Sequence, residues 1–465
     1  MKTRILLTGT LSVLLLAPAG AASGGATSPV RFLPPAGAVI SDNVEYLGTI
    51  PDTPGVGGRM VKVGDQLRFY VTGVKGLTIY DVTNPALPIP MGALPLPHFQ
   101  NEDVDVSDDG SKVIISTDTA TLDGGGNRSN GIRIIDTSDP ASPRQVGLVA
   151  QSNHTAMCAD PACEWIYGSS GNIYDARDPA NVAATGVRWK PTGGSAHALN
   201  RDASGLLISD SNPRFVLDPS ESPESPEVIA QGRPTGSDGY LQHNNVRPVA
   251  DLWEPRPLPE EGEEEAPELP LRPGELLVGN SESNVTVADG EGFCPSYAGG
   301  LSTWSMVNFD RGEEMEQLDV FRPVNGEYVG GDPAVNALGC SGHWFTWNDG
   351  IVAASWYEHG VKFFDVDSET GEIDQVGFFQ PVATEAGAAH WVTDADGNEY
   401  VYSVDYARGI DILRFHRDEP APSERELYES WAWNLRNLRA RGFGSLASAE
   451  RFACSFAMRG GLTVG

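Results

Sequence analysis

HWFTWNDGIVAASWYEHGVKFFDVDSETGEI (343–373) and HWVTDADGNEYVYSVDYARGIDILRF (390–415) read as two copies of one unit. Each opens with a histidine, runs through an alternating apolar stretch, turns at Asp and Gly, returns in a second apolar stretch and enters a third after a glycine. Alternation at period two marks strands with one buried face, and the Asp and Gly positions mark the turns between them. The third strand recurs most clearly upstream: GLTIYDVTNPALP from Gly76 and GIRIIDTSDPASP from Gly131, with GNIYDARDPANV from Gly171 shortened and PRFVLDPSES from Pro213 degenerate.

Units beginning near Arg59, Glu102, His154, His197, His243, His343 and His390 are mostly 43 to 52 residues apart. The longer interval from His243 to His343 holds one set of strands, ELLVGN (275–280), LSTWSMVNF (301–309) and EQLDVFRPV (316–324), with insertions. A strand-rich repeat of this period predicts an all-β fold, a seven-bladed β-propeller over residues 42–416 with four strands to a blade. The last unit ends after its third strand at Phe415, and NVEYLGTI (43–50) stands alone at the other end. That strand is expected to complete the last blade and close the ring, removing an exposed sheet edge.

The third-strand motif resembles that of the LVIVD-repeat family of exported β-propeller proteins, over roughly residues 42 to 416. The resemblance implies the architecture and leaves the chemistry open, because one fold hosts many functions.

Residues 1–21, MKTRILLTGTLSVLLLAPAGA, have the basic start, apolar centre and small-residue end of a secretory signal peptide, so a secreted, extracellular protein is expected. Residues 22–41 read as a flexible lead-in. Sixty-three acidic residues against 32 basic ones give a net charge of −31, which excludes nucleic acid and disfavours anionic membranes as partners. No stretch after the signal is apolar enough to span a membrane; the expected form is a monomer whose partner is a small molecule or another protein. Residues 254–273 (EPRPLPEEGEEEAPELPLRP) read as a disordered acidic insertion. In the tail, 417–465, Ser423 and Glu426 form a capping box ahead of Leu427, Trp431, Leu435 and Leu438 at helical spacing. Of five cysteines, Cys158 and Cys163 flank a tight turn and are expected to pair, as are Cys294 and Cys340, leaving Cys454 free.

Eight histidines occur, and seven fall on one expected face of the ring; His416 does not. A single histidine at a strand start is ordinarily a structural imidazole bonded to a backbone carbonyl. Five at one repeat position point further, because converging neutral imidazoles suit a late first-row metal. The expected ligands are His154, His197, His243, His343 and His390, for a transition metal such as Cu, Zn or Fe. The ring is too wide for all five to reach one ion, so three or four neighbours, or two ions, are expected. His98, Glu102 and His359 are additional or supporting groups, and Arg59 either pairs with Glu102 or holds an anionic substrate. Tyr357, Tyr406 and Arg408 are placed at the mouth. A metal-dependent enzyme of redox type and a binding scaffold with a polar channel are both open. No phosphate loop, HExxH helix or GxSxG turn is present.

Overall fold

The computed structural model describes residues 33–51, 53–96, 103–117, 131–151, 153–190, 196–211, 213–234, 242–248, 256, 270–281, 300–307, 314–321, 342–357, 359–382, 384–427 and 429–430. Their strands form a seven-bladed propeller. The first blade is Gly55–Val63, Gln66–Gly73, Gly76–Asp81 and Ile89–Leu94, and the second is Asp103–Val106, Lys112–Thr117, Gly131–Asp136 and Arg144–Val149. The third is Ala156–Cys158, Trp165–Gly168, Asn172–Asp175 and Ala183–Arg188; the fourth is Leu199–Arg201, Leu207–Ser209, Arg214–Asp218 and Glu227–Pro234. The fifth is Gln242–Val246, Leu276–Ser281, Leu301–Ser305 and Glu314–Phe321; the sixth is Phe345–Asn348, Ile351–Ser355, Val361–Val366 and Ile373–Gln380. Ala386–Thr393, Glu399–Asp405 and Gly409–Phe415 make three strands of the seventh, and Val44–Ile50 supplies its fourth, running antiparallel from Val44 beside Phe415 to Ile50 beside Ile410.

The repeated third strand has a steric explanation. Gly76, Gly131, Gly360 and Gly409 adopt positive φ, and a Cβ at each would run into the carbonyl oxygen of Leu94, Val149, Phe379 and Ile50 respectively, near the edge of the adjoining fourth strand. The aspartate that ends the strand builds the next turn: Asp81, Asp136, Asp175 and Asp218 each accept a hydrogen bond from the backbone N–H two residues on. Apolar residues between these signals pack blade against blade. Phe69, Tyr402 and Val404 join the seventh blade to the first, Ile79 and Val113 the first to the second, and Trp304 with Ile208 the fourth to the fifth.

Three local features differ from expectation or extend it. Val39–Ile40, within the expected lead-in, is an edge strand on the sixth blade, held by Ser41 N–H to the Phe378 carbonyl. The ends of the acidic insertion are tied down: Arg256 Nε lies 2.8 Å from Glu275 Oε1, and Leu271 is buried; its centre, 257–269, lies outside the described residues. The outer strands of the fourth and fifth blades also pair in parallel, Arg233 beside Glu314.

Cys158 and Cys163 form the expected disulfide, across a turn in which the Asp160 carboxylate accepts the N–H groups of Ala162, Glu164 and Trp165. Cys294, Cys340 and Cys454 lie outside the described residues, as do residues 1–32 and 431–465 with Trp431, Leu435 and Leu438 of the expected helix. The capping box is formed, with Ser423 N–H donating to Glu426 at 2.8 Å. Ser430 is buried and receives Gln380 Nε2, so this helix docks beside the sixth blade. Among the described residues no helix is long and apolar enough to cross a membrane.

Candidate functional site

Strand register sorts the channel residues into two levels. The residue three beyond each third-strand glycine is paired, through the second strand, to one residue of the innermost strand. Ile79 leads through Tyr70 to Arg59, Ile134 through Ile114 to Asp105, Phe363 through Ala353 to Thr346, and Ile412 through Tyr402 to His390. Val216 leads likewise through Ile208 to Asn200, and Thr303 through Val278 to Val246. Three residues earlier in the chain come His197, His243 and His343, and His154 of the third blade lies against His197. At about 3.3 Å per residue the two levels are roughly 10 Å apart.

His390 is therefore not the counterpart of His343. Its level is that of Thr346 and Arg59, and the counterpart of His343 in the seventh blade is Gly387; Trp344 bridges Ala388 directly. Arg59 also belongs to the deeper level, where its Nε stands 3.3 Å from Asp105 Oδ1. Glu102 and His98 lie outside the described residues, and of His243 only the strand position is described.

At the upper level the structure brings two histidines together. His154 Nε2 and His197 Nε2 are 2.8 Å apart with the rings edge to face. Both are pinned from behind: His154 N–H donates to Ser169 Oγ at 3.0 Å, and the Thr155 hydroxyl donates to the His197 carbonyl. His343 is fully buried, and its Nδ1 donates to the Gly387 carbonyl. Asn280 fixes its backbone by donating Nδ2–H to the His343 carbonyl. Trp344 stands between His197 and His343, at centroid distances of 6.2 and 6.0 Å. Among the described residues no three His, Cys, Asp or Glu side chains are grouped closely enough to hold a metal ion.

The expected mouth residues have other partners. Tyr357 is buried with its ring 4.9 Å from that of His343, and its backbone bridges Ala386. Arg408 is engaged by both oxygens of Asp411, at 2.8 and 2.9 Å. Tyr406 is half-buried, with its N–H on the Glu385 carbonyl. His359 is buried, and among the described residues neither ring nitrogen has a hydrogen-bond partner; burial first, and then the nearby Lys362 charge, hold its pKa well below the usual histidine value. Asn153, in an N-x-Thr triplet, is buried and bonded to Ser170 and Tyr174, which removes it as a glycan acceptor.

Below Trp344 a cavity of about 260 Å³ occupies the channel, lined by Arg59, Asn200, Asn245, His390 and Trp391 among others. Sequence reading missed its amides and indoles, because each occurs once at its level and only register reveals that they meet. Burial, then the charge of Arg59, push the His390 pKa down to about 3, so its imidazole is neutral at ordinary pH.

A family model describing the LVIVD repeat matches residues 69–94 and 126–151. The chain carries LVIVD repeats. Each matched segment covers the third and fourth strands of a blade, so the LVIVD repeat here is the glycine-opened strand and its edge partner. No curated protein matches the chain in sequence. Among solved structures it is similar to the β-propeller domain of Cps50 (Swd1) from Myceliophteria thermophila, at 14% identity and TM-score 0.47, covering 80% of this chain and 99% of that one. It is also similar to hydrazine synthase from Kuenenia stuttgartiensis, at 12% identity and TM-score 0.45, covering 79% and 97%. A third is the periplasmic gluconolactonase of Pseudomonas aeruginosa, at 12% identity and TM-score 0.42, covering 82% and 97%. None of these likenesses bears on the chemistry of the channel.

Proposed function

We propose that this is an exported propeller that holds a transition metal at the upper level of its channel, with His154, His197, His243 and His343 as the ligand set. The observation that carries the reading is the meeting of His154 and His197 nitrogen to nitrogen at 2.8 Å. Two ligands about 2.0–2.1 Å from a tetrahedral ion stand roughly 3.3 Å apart, so the rings need to part by only about half an ångström to admit one. His343 supports it, because the Gly387 carbonyl holds its ring through Nδ1, the usual support of an imidazole ligand. His390 leaves the set, since its level is roughly 10 Å deeper. A bound ion would supply Lewis-acid or electron-transfer chemistry. The chain's own groups orient its ligands through Ser169, Thr155, Gly387 and Asn280.

A scaffold with a structural polar channel is the second reading, favoured by the same pair: one neutral imidazole donating to the other already satisfies both nitrogens. Metal content separates the two. Protein purified without an affinity tag, dialysed and measured by elemental analysis is expected to keep near-stoichiometric Cu, Zn or Fe and to lose it in His154→Ala/His197→Ala. Metal that stays substoichiometric after reconstitution, or that survives the double substitution, leaves the scaffold.

A further inference from the structure

The cavity below Trp344 has a chemistry of its own. Asn245 is fully buried, and among the described residues neither atom of its amide group has a hydrogen-bond partner. His390 Nε2 is buried and likewise without one, as are Asn200 Nδ2 and Trp391 Nε1. Buried polar atoms cost free energy unless they are bonded, so a cluster of them around one space describes what should fill it. The backbone keeps the imidazole uncovered: at Gly58 a Cβ would come within 3.1 Å of His390 Nε2.

Charge narrows the ligand. Each of the three arginines lining the cavity stands beside a carboxylate: Arg59 at 3.3 Å from Asp105, Arg201 at 2.7 Å from Asp108 and Arg247 at 2.7 Å from Asp202. Asp202 is the partner of Arg247, the Asp103 carboxylate accepts the Ala156 N–H at 3.2 Å, and the other polar groups of the lining, the amides, indoles and His390 imidazole, are neutral. Amides donate and accept in one plane, as vicinal hydroxyls require, and indole faces cover the C–H surfaces between them. At about 260 Å³ the space lies below the roughly 300–1,000 Å³ typical of drug-sized ligands, so the occupant is compact.

We propose that this cavity binds a compact, uncharged, polyhydroxylated molecule of the monosaccharide class, held by the amides of Asn200 and Asn245, the His390 imidazole and the rings of Trp344 and Trp391. The site is distinct from the histidine level and does not depend on a metal there.

The test is calorimetric titration of the full chain in EDTA with glucose, galactose, mannose and myo-inositol, against glucuronate and glucosamine as charged counterparts. At least one neutral compound is expected to bind at millimolar concentration or below, with the charged ones at least about tenfold weaker. Asn245→Ala and His390→Phe are each expected to weaken it about tenfold, with circular dichroism confirming the fold. If Asn245→Ala does not fold, Asn200→Ala carries the same expectation. The proposal is overturned if no neutral compound binds, if the charged ones bind equally well, or if the folded variants keep wild-type affinity. EDTA makes the outcome independent of whether the histidine level holds a metal.

Discussion

Lys362 is fully buried, and among the described residues its ammonium has no hydrogen-bond partner. Burial pushes its pKa down to about 7, whereas in the unfolded chain it titrates near ~10.4. Between those values the unfolded chain holds a proton that the folded chain lacks, so this residue makes stability rise with pH through that window. The penalty is full below about pH 7 and disappears above the unfolded value. Lys362→Met is therefore expected to raise the melting temperature at pH 7 and to flatten its climb between about pH 7 and 10. Scanning calorimetry across that range checks it; a variant with the wild-type slope would show that Lys362 has a partner in solution.

At the scale of strands and hairpins, the third strand was legible because its glycine is sterically required and its terminal aspartate builds a turn. The innermost strand was legible only in part. His343 and His390 share a following tryptophan, and aligning them on that pair puts both at a strand start. The seventh blade, however, has an eight-residue first strand and a turn over residues 394–398, where the sixth has four residues and a turn at Asp349 and Gly350. Those additions sit at the far end of the hairpin and shift His390 three positions inward. Composition does not reveal such a shift, since both hairpins alternate and both turn at Asp and Gly. The same register error hid the Arg59 and Asp105 contact, which joins neighbouring blades at one level.

The hairpin of the third blade gives an element-scale prediction. The Cys158–Cys163 bridge closes a loop of sequence separation 5, and chain-entropy arithmetic makes so short a crosslink worth about 2 kcal/mol. Asp160 already organises the same turn through three backbone N–H groups. Cys158→Ala/Cys163→Ala is thus expected to lower unfolding free energy by at most about 2 kcal/mol and to leave the far-ultraviolet dichroism of the propeller unchanged. Loss of folding in that variant would mean the bridge does more than close its loop.

For the molecule as a whole, the ring is held by strand Val44–Ile50 on Gly409–Phe415, and each blade buries its face only against its neighbours. Replacing residues 44–50 by a Gly-Ser linker leaves the edge of the seventh blade open, and an open edge invites pairing with another chain. The expected results are a van't Hoff enthalpy well below the calorimetric one and association on size-exclusion chromatography; single-step monomeric unfolding would contradict the closure.

The two proposals divide one channel between a metal held by His154, His197, His243 and His343 and a compact polyhydroxylated ligand in the cavity lined by Trp344, Asn245 and His390. Crystals of untagged, metal-reconstituted protein, measured at the absorption edge of the bound element, test that division most directly. The account predicts an anomalous peak about 2.0–2.1 Å from both His154 Nε2 and His197 Nε2, and none at His390. A peak on His390, or two imidazoles still 2.8 Å apart with no peak between them, would contradict it.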